Sequence, residues 1–451
     1  MTTTNCSFTR RRALQRLLVG AACLPFIDVW GLRASAFADG ATPAQRPTGA
    51  ARATSVIELW MAGGPSHVDT FDPKPEAGAA YCGPLDKPLP TNVDGIRISQ
   101  LMPLLAQQAD KYSLIRSMTH GSNAHETAAY IAQTGRDAAD RLVYPGIGAV
   151  VTLFKGYDHG YKGVVPPYVM LTQPMGRFSE TGFLGPRYRP FVTGGDPNQK
   201  RFAVEGVVAE GVSDERQKNR RDLMHELDTL GRDMPKNARF EQFDRLEDKP
   251  YDLILGDAGK LFDLAQEKDD VRDRYGRSPF GQSCLMARRL VERGVPYVTV
   301  NLGGWDTHKQ NFETMRRKLP ELDRGLATLL ADLAERGLLD STIVWCGGEF
   351  GRTPKVQWEA PWNGGRGHHG DCYSALVAGG GFKGGRVVGA SDETGERVGT
   401  RPVHPRELHS AIYAQLGIDP DGPLPNQKGL DVRVTDAPGG APAAKRLPEI
   451  V

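Results

Sequence analysis

The chain has 451 residues, 39% of them hydrophobic and 24% charged, with a formal net charge of +2 at neutral pH. Those proportions belong to a globular protein that can bury a sizeable core, and they exclude wholesale disorder. Acids and bases are interspersed and nearly balanced, which excludes a nucleic-acid-binding face built from clustered basic residues.

The chain opens on a processing signal. Thr9-Arg10-Arg11-Arg12-Ala13-Leu14 resembles the twin-arginine export motif, and Leu17 to Leu32 supplies the apolar region that follows it. Pro25 and Asp28 interrupt that region, so it is too short for a stable membrane span. Ala36-Phe37-Ala38 offers a small-x-small cleavage site. We therefore expect a signal peptide over 1–38, an Ala/Thr/Pro/Arg-rich linker over 39–53, one domain over 54–435 and a tail over 436–451. The mature protein is expected in the periplasm or outside the cell. Proteins exported by this route are already folded, often around a cofactor, which favours a metalloprotein. Cys6 and Cys23 would leave with the signal, and Cys82, Cys284, Cys346 and Cys372 show no CxxC or zinc-finger spacing. Cys346 and Cys372 lie in apolar runs and read as core residues, while an oxidising compartment would allow a disulfide between two of the four.

One pattern then recurs. Short apolar strands run into Gly-rich turns, with polar residues immediately after. Val56–Trp60 enters "MAGGPSHVDTFDPKP", Ser113–Arg116 enters "SMTHGSNAHE" and Pro296–Leu302 enters "GGWDTH". Thr342–Cys346 enters "GGEFGRTP", and Leu376–Ala378 enters "GGGFKGGRVVG". Helical stretches separate them: 125–135 with Gly135 as a C-cap, 280–294, and the amphipathic 319–339 ended by Gly337. The charged stretch 187–275 reads as an insertion or cap. Strand–helix alternation predicts an α/β fold, a mostly parallel central sheet with helices on both faces. In such sheets, sites form beyond the carboxyl ends of the strands, so the polar clusters are expected to converge there.

The candidate metal ligands are His67, Asp69, Asp306, His308, Glu349, His368 and His369. Carboxylates with imidazoles suit zinc, with manganese, iron or calcium as alternatives. Each pair has a plainer reading: His67/Asp69 as a turn with a solvated imidazole, Asp306/His308 as a loop cap, Glu349 as the partner of Arg352. At least one of His368 and His369 should face the site, the other fixing a ligand by hydrogen bond. Arg352 either holds an anion or pairs with Glu349. Ser117, Thr119, His120, Ser122 and His125 lie between a strand and a helix whose N–H groups could attract an anion, or Ser122 or Asn123 could simply cap that helix. No G-x-S-x-G elbow, P-loop, G-x-G-x-x-G opening a helix or HExxH occurs.

Together, "AGGPSHVDTFDPKP", "YGRSPFGQSCLMARRLVERGVPYVTVNLGGWDTH", "DLAERGLLDSTIVWCGGEFGRTP" and "GRGHHGDCYSALVAGGGFKGGRVVGASDE" closely resemble the domain-of-unknown-function family 1501 (DUF1501), over roughly residues 54–417. That family is similar to the alkaline phosphatase and sulfatase superfamily. The resemblance implies an alkaline phosphatase-like fold and an exported, metal-dependent hydrolase of sulfate or phosphate esters, acting on a small-molecule or saccharide anionic ester. By the same resemblance Asp306 and His308 match the later Asp/His ligands, and His368 or His369 the last His. The Cys-x-Pro-Ser-Arg signature of sulfatases is missing, and the nucleophile position falls near His125, a general acid/base or nucleophile, with Thr127 next along. Gly63-Gly64 stand where paired acids would follow the first strand. The alternative is a non-catalytic exported binding or scaffold protein on the same fold.

Overall fold

The computed structural model describes residues 51–137, 142–174, 181–199, 257–426, 429–435 and 446–451, with single positions at 216 and 219. The expected signal peptide, most of the linker and the centre of the expected cap lie outside the described residues. Along the chain come β1 (Ser55–Trp60), β2 (Tyr112–Met118), α1 (His125–Thr134), α2 (Ile147–Lys155), β3 (Tyr168–Leu171) and β4 (Phe191–Val192). Then follow α3 (Pro279–Glu292), β5 (Tyr297–Asn301), α4 (Asn311–Glu335), β6 (Thr342–Gly347), β7 (Gly351–Arg352) and β8 (His368–His369). The series closes with β9 (Tyr373–Ala378), β10 (Arg386–Val388) and α5 (Pro405–Gln415).

Eight strands form one sheet in the order β10-β2-β9-β6-β1-β5-β3-β4. Neighbours pair in parallel except around β9, which runs antiparallel to both β2 and β6. Alternation along β1 shows how the sheet is sandwiched. Ile57 and Leu59 join one apolar cluster with residues of α3 and α4, while Val56 and Trp60 join another with α1, α2 and α5. Helices therefore cover both faces of a mostly parallel sheet, the expected α/β architecture.

Glu58 is a buried carboxyl on the α1 side of β1, and burial raises its pKa. It accepts hydrogen bonds from Gln133 Nε2 at 2.5 Å, Thr299 Oγ1 at 2.8 Å and Tyr297 Oη at 3.1 Å. A buried carboxyl persists only with such partners. These bonds tie α1 to the centre of the sheet.

Several boundaries differ from the sequence reading. β3 and β4 carry too few residues to show a period, and β4 makes residues 191–192 part of the sheet rather than of a cap. At the other end of that stretch, Tyr275 is buried and donates its hydroxyl hydrogen to Asp332 at 2.8 Å. The expected tail is not free at its end: Leu447 and Ile450 are buried, and the Lys383 N–H donates to the Ile450 carbonyl at 2.7 Å. Helix α4 begins at Asn311, ahead of the expected 319, and runs through Pro320. A proline inside a helix costs about 3 kcal/mol or more; burial of Phe312, Met315, Leu319 and Leu322 in the apolar core offsets it. The four described cysteines are buried free thiols, so the disulfide is not formed, and Cys346 and Cys372 are core residues as expected.

His67 and His409 are buried, and burial pushes both pKa values down to about 4. In the unfolded chain they titrate near ~6.5, so below that pH the unfolded state takes up protons that the fold refuses. The stability they leave intact above ~6.5 is lost as pH falls toward the folded value. Urea midpoints should decline from about pH 7 to about pH 4.5, and His409→Gln should flatten the decline. Equal slopes for both proteins would refute this.

Candidate metal centre

The loop after β5 is pinned by Trp305, whose buried indole donates to the Leu302 carbonyl at 2.7 Å. Thr307 points inward, donating to Asn311 Oδ1 at 2.8 Å. Its neighbours on either side, Asp306 and His308, turn outward to the same rim. The loop after β2 delivers His125 at the start of α1, and the short ribbon β7–β8 delivers His368. β9 runs backwards, so the residues before it, rather than after it, lie on that rim. For the same reason the expected fifth cluster, "GGGFKGG", is absent from the site. Gly379 lies instead against the Leu339 and Thr342 carbonyls, where β6 begins.

Asp306 is the hub. Its Oδ1 lies 3.2 Å from His308 Nε2 and 3.3 Å from His368 Nε2, and its Oδ2 lies 3.4 Å from His125 Nε2. The Nε2 atoms of His308 and His368 are 2.8 Å apart. One donor atom from each of His125, Asp306 and His368 fits within 4.8 Å.

The tautomers make this geometry informative. His125 Nδ1 lies 2.8 Å from Glu349 Oε1, and His368 Nδ1 lies 2.8 Å from the Asn123 carbonyl. Both partners only accept, so both Nδ1 atoms carry the hydrogen. In neutral rings the two Nε2 lone pairs then face the Asp306 carboxylate. Lone pairs turned toward a carboxylate repel one another unless a cation or a proton lies among them, and His308 Nε2, 2.8 Å from His368 Nε2, is placed to share one. Outward donation from Nδ1 to a carboxylate or carbonyl is also how metal-ligating histidines are normally held. The donor set fits a divalent cation such as zinc, with His308 as the further ligand.

Burial disfavours the charged form of Asp306, but Arg352 at 2.6 Å, with His308 and His125, outweighs it and holds the carboxyl below its ordinary range. The hydrogen bond to Glu349 raises His125. Burial lowers His308, with Arg352 and His368 acting in the same sense.

Other expected site residues have different partners. Glu349 stands behind His125 instead of joining the donors: its Oε1 also accepts from the Gly63 N–H at 2.8 Å, while its buried Oε2 has no partner among the described residues. His125, expected as acid, base or nucleophile, joins the donor group. Arg352 cannot hold a substrate anion, because its side chain is 0% exposed. Its Nε donates to the Gly64 carbonyl at 2.9 Å, and its Nη2 donates to both the Gly63 carbonyl and Asp306. Gly63 and Gly64 have φ of 111° and 75°, and a Cβ at either would strike Asp306 or Phe350, which is why glycines fill this turn.

His67, Asp69 and His369 are not ligands in this arrangement. Asp69 is buried against Arg366, which donates Nε to Oδ2 at 2.7 Å and Nη2 to Oδ1 at 2.9 Å, while Asn311 donates to Oδ2 at 2.8 Å. His67 donates Nε2–H to the Gly395 carbonyl at 2.8 Å and stacks on His369. His369 reaches the Glu396 carbonyl at 2.7 Å. Strand alternation explains the split. His368 pairs with Arg352 across the ribbon and shares its face, whereas His369 pairs with Gly351 on the other face, beside His67. Of the anion-holding group expected before α1, His120 donates Nε2–H to the Glu349 carbonyl at 2.6 Å, and Ser117 Oγ donates to the Arg401 carbonyl at 2.6 Å.

Asn123 was legible only as a helix cap, yet Ala124 takes the cap position with no side-chain bond, and the Asn123 carbonyl holds His368 instead. Arg366 and Phe350 carried no signal as site residues. Phe350 is buried, its ring 4.9 Å from that of His125 and 4.8 Å from that of His368. Arg366 was legible only as a cation two residues before His368. Its burial beside Asp69 depends on contacts distant in sequence.

A sheet of this topology with an imidazole–carboxylate centre on its rim defines the class: an α/β protein with a candidate metal site. The family model described as "Protein of unknown function (DUF1501)" matches residues 53–445, and the chain belongs to that family. Among curated proteins no relative matches. The fold is similar to that of Ps i-CgsB in complex with k-i-k-neocarrahexaose, at 12% identity and a TM-score of 0.38, over 83% of this chain and 73% of that one. It is similar to PsFucS1 sulfatase from Pseudoalteromonas sp. at 14% identity and a TM-score of 0.36, over 82% and 68%. It is also similar to a protein in the alkaline phosphatase superfamily from Vibrio parahaemolyticus at 12% identity and a TM-score of 0.33, over 82% and 69%.

Because Glu349 orients a donor without being one, Glu349→Gln should weaken zinc binding by roughly 10- to 100-fold and leave the fold intact. Titration calorimetry with zinc reads this directly. Unchanged affinity would mean that Glu349 does not hold His125.

Proposed function

We propose that this protein is a metal-dependent hydrolase of sulfate or phosphate esters. The observation that carries the proposal is the convergence of Asp306, His125, His308 and His368, with two imidazoles held at Nδ1 by acceptors so that their Nε2 atoms face the carboxylate. The ester class rests on the ordered motifs that resemble DUF1501, a family similar to the alkaline phosphatase and sulfatase superfamily. A bound divalent cation would supply Lewis acidity toward an ester oxygen and lower the pKa of water.

This chain's own residues do the rest. Asp306 is 46% exposed and His125 36%, so the donors remain open to a substrate. Arg352 reaches no substrate; it keeps Asp306 ionised and aimed. Glu349 and the Asn123 carbonyl fix the two ring orientations. Among the described residues, no serine, threonine or cysteine side chain hydrogen-bonds to the four donors.

The test is hydrolysis of aryl sulfate and aryl phosphate esters by purified protein loaded with zinc, manganese, iron or calcium. Turnover of one ester class is expected, abolished by chelator and by Asp306→Ala. A protein that binds metal but turns over neither class would instead be a binding or scaffold member of this fold.

We further propose export by the twin-arginine route, on the strength of Arg10-Arg11-Arg12 and the apolar stretch after them. A reporter fused to residues 1–38 should reach the periplasm, and replacing Arg11 and Arg12 by lysines should stop it. Export that ignores those substitutions, or no export at all, would overturn this.

A further inference from the structure

The five tryptophans among the described residues fall into two groups. Trp60, Trp305 and Trp345 are at most 3% exposed. Trp358 is 51% exposed and Trp362 is half-buried, and both lie on the loop 357–365. A ring with so much apolar surface is normally buried, so two left open on one loop are the anomaly.

The loop is braced. The Gln357 N–H donates to the Gly365 carbonyl at 3.0 Å, and the Gly364 N–H donates to the Gln357 carbonyl at 2.8 Å. From the start of α4, the Gln310 N–H donates to the Trp362 carbonyl at 3.1 Å and the Asn311 N–H to the Gly364 carbonyl at 3.2 Å. Trp358 lies nearly flat on buried Phe312, centroids 5.5 Å apart and planes 18° from parallel. A Cβ on Gly364 would come within 3.2 Å of that indole, so the glycine lets the ring settle. The Trp362 ring lies 6.3 Å from the ring of His308, so the loop adjoins the candidate metal centre.

We infer that this loop is a subsite for a sugar ring whose ester group is presented to the Asp306 centre, an inference that rests on the esterase reading above. A pyranose has an apolar C–H face and a rim of hydroxyls. A pre-positioned indole supplies the matching flat surface, and the exposed Glu359 and Asn363 supply hydrogen-bonding groups beside it. A purely apolar aryl group would make no use of those polar neighbours. A stable protein partner typically covers about 800 Å² per side, far more than two indoles with Ala360 and Pro361 present.

The test is affinity electrophoresis in gels containing a sulfated galactan, a sulfated fucan, chondroitin sulfate or unsulfated galactan, run with the full chain. At least one glycan should retard the wild type, and Trp358→Ala and Trp362→Ala should each weaken retardation by about tenfold. Trp358→Phe should retain part of it, and zinc affinity should stay at the wild-type value in all three variants. Asp306→Ala separates the two ideas: retardation that survives in it keeps the subsite even if the esterase reading fails. No retardation by any glycan, or equal retardation of wild type and both alanine variants, overturns the subsite.

Discussion

A carboxylate held between a buried guanidinium and three imidazoles is the constraint on which the rim of this protein depends. Asp306 cannot leave its position without stranding Arg352, which has no exposed surface and spends its other donors on the Gly63, Gly64 and Arg366 carbonyls. Arg352 would then be a buried cation without its carboxylate, although Asp306 itself is half exposed and solvent screens part of the pair's strength. The turn after β1, the loop after β5 and the β7–β8 ribbon are thereby locked to one another. The imidazoles of His125, His308 and His368 are then placed by elements that are themselves fixed.

A second buried pair repeats the device one layer back. Arg366 and Asp69 join the loop after β1 to the strand that carries His368, and Asn311 adds the start of α4. Neither arginine is available to solvent. Both act on the site through other groups, one by aiming Asp306, the other by fixing the backbone on either side. Glu349 does the same for His125. The rim therefore contains few residues that face a substrate and many that hold those few in place.

The fold was legible where patterns were long. The strands leading to "GGPSHVD", "GGWDTH" and "GGEFGRTP", and the helices at 125–135 and 280–294, could be read from apolar runs and glycine caps. β4, two residues at the sheet edge, carries no period to read. The reversed direction of β9 could not be read either, because direction is set by pairing, and this misplaced the "GGGFKGG" turn. Asp306, His308 and one of the paired histidines were legible as candidate ligands from chemistry alone. Which of His368 and His369 faces the site depends on ribbon register. The roles of Arg352 and Glu349 depend on burial, which spacing does not report. Asp69 and His67 looked like ligands because a carboxylate bound to a buried arginine and one bound to a metal have the same local sequence.

The proposed chemistry needs a cation among the imidazole nitrogens that face Asp306. Crystals of the full chain grown with zinc, measured at and below the zinc absorption edge, would locate any bound ion by anomalous scattering. The account predicts a peak bonded to Asp306, His125 and His368 at about 2 Å, absent from Asp306→Ala crystals. No peak there, or one lying only beside Asp69 and His67, would contradict it.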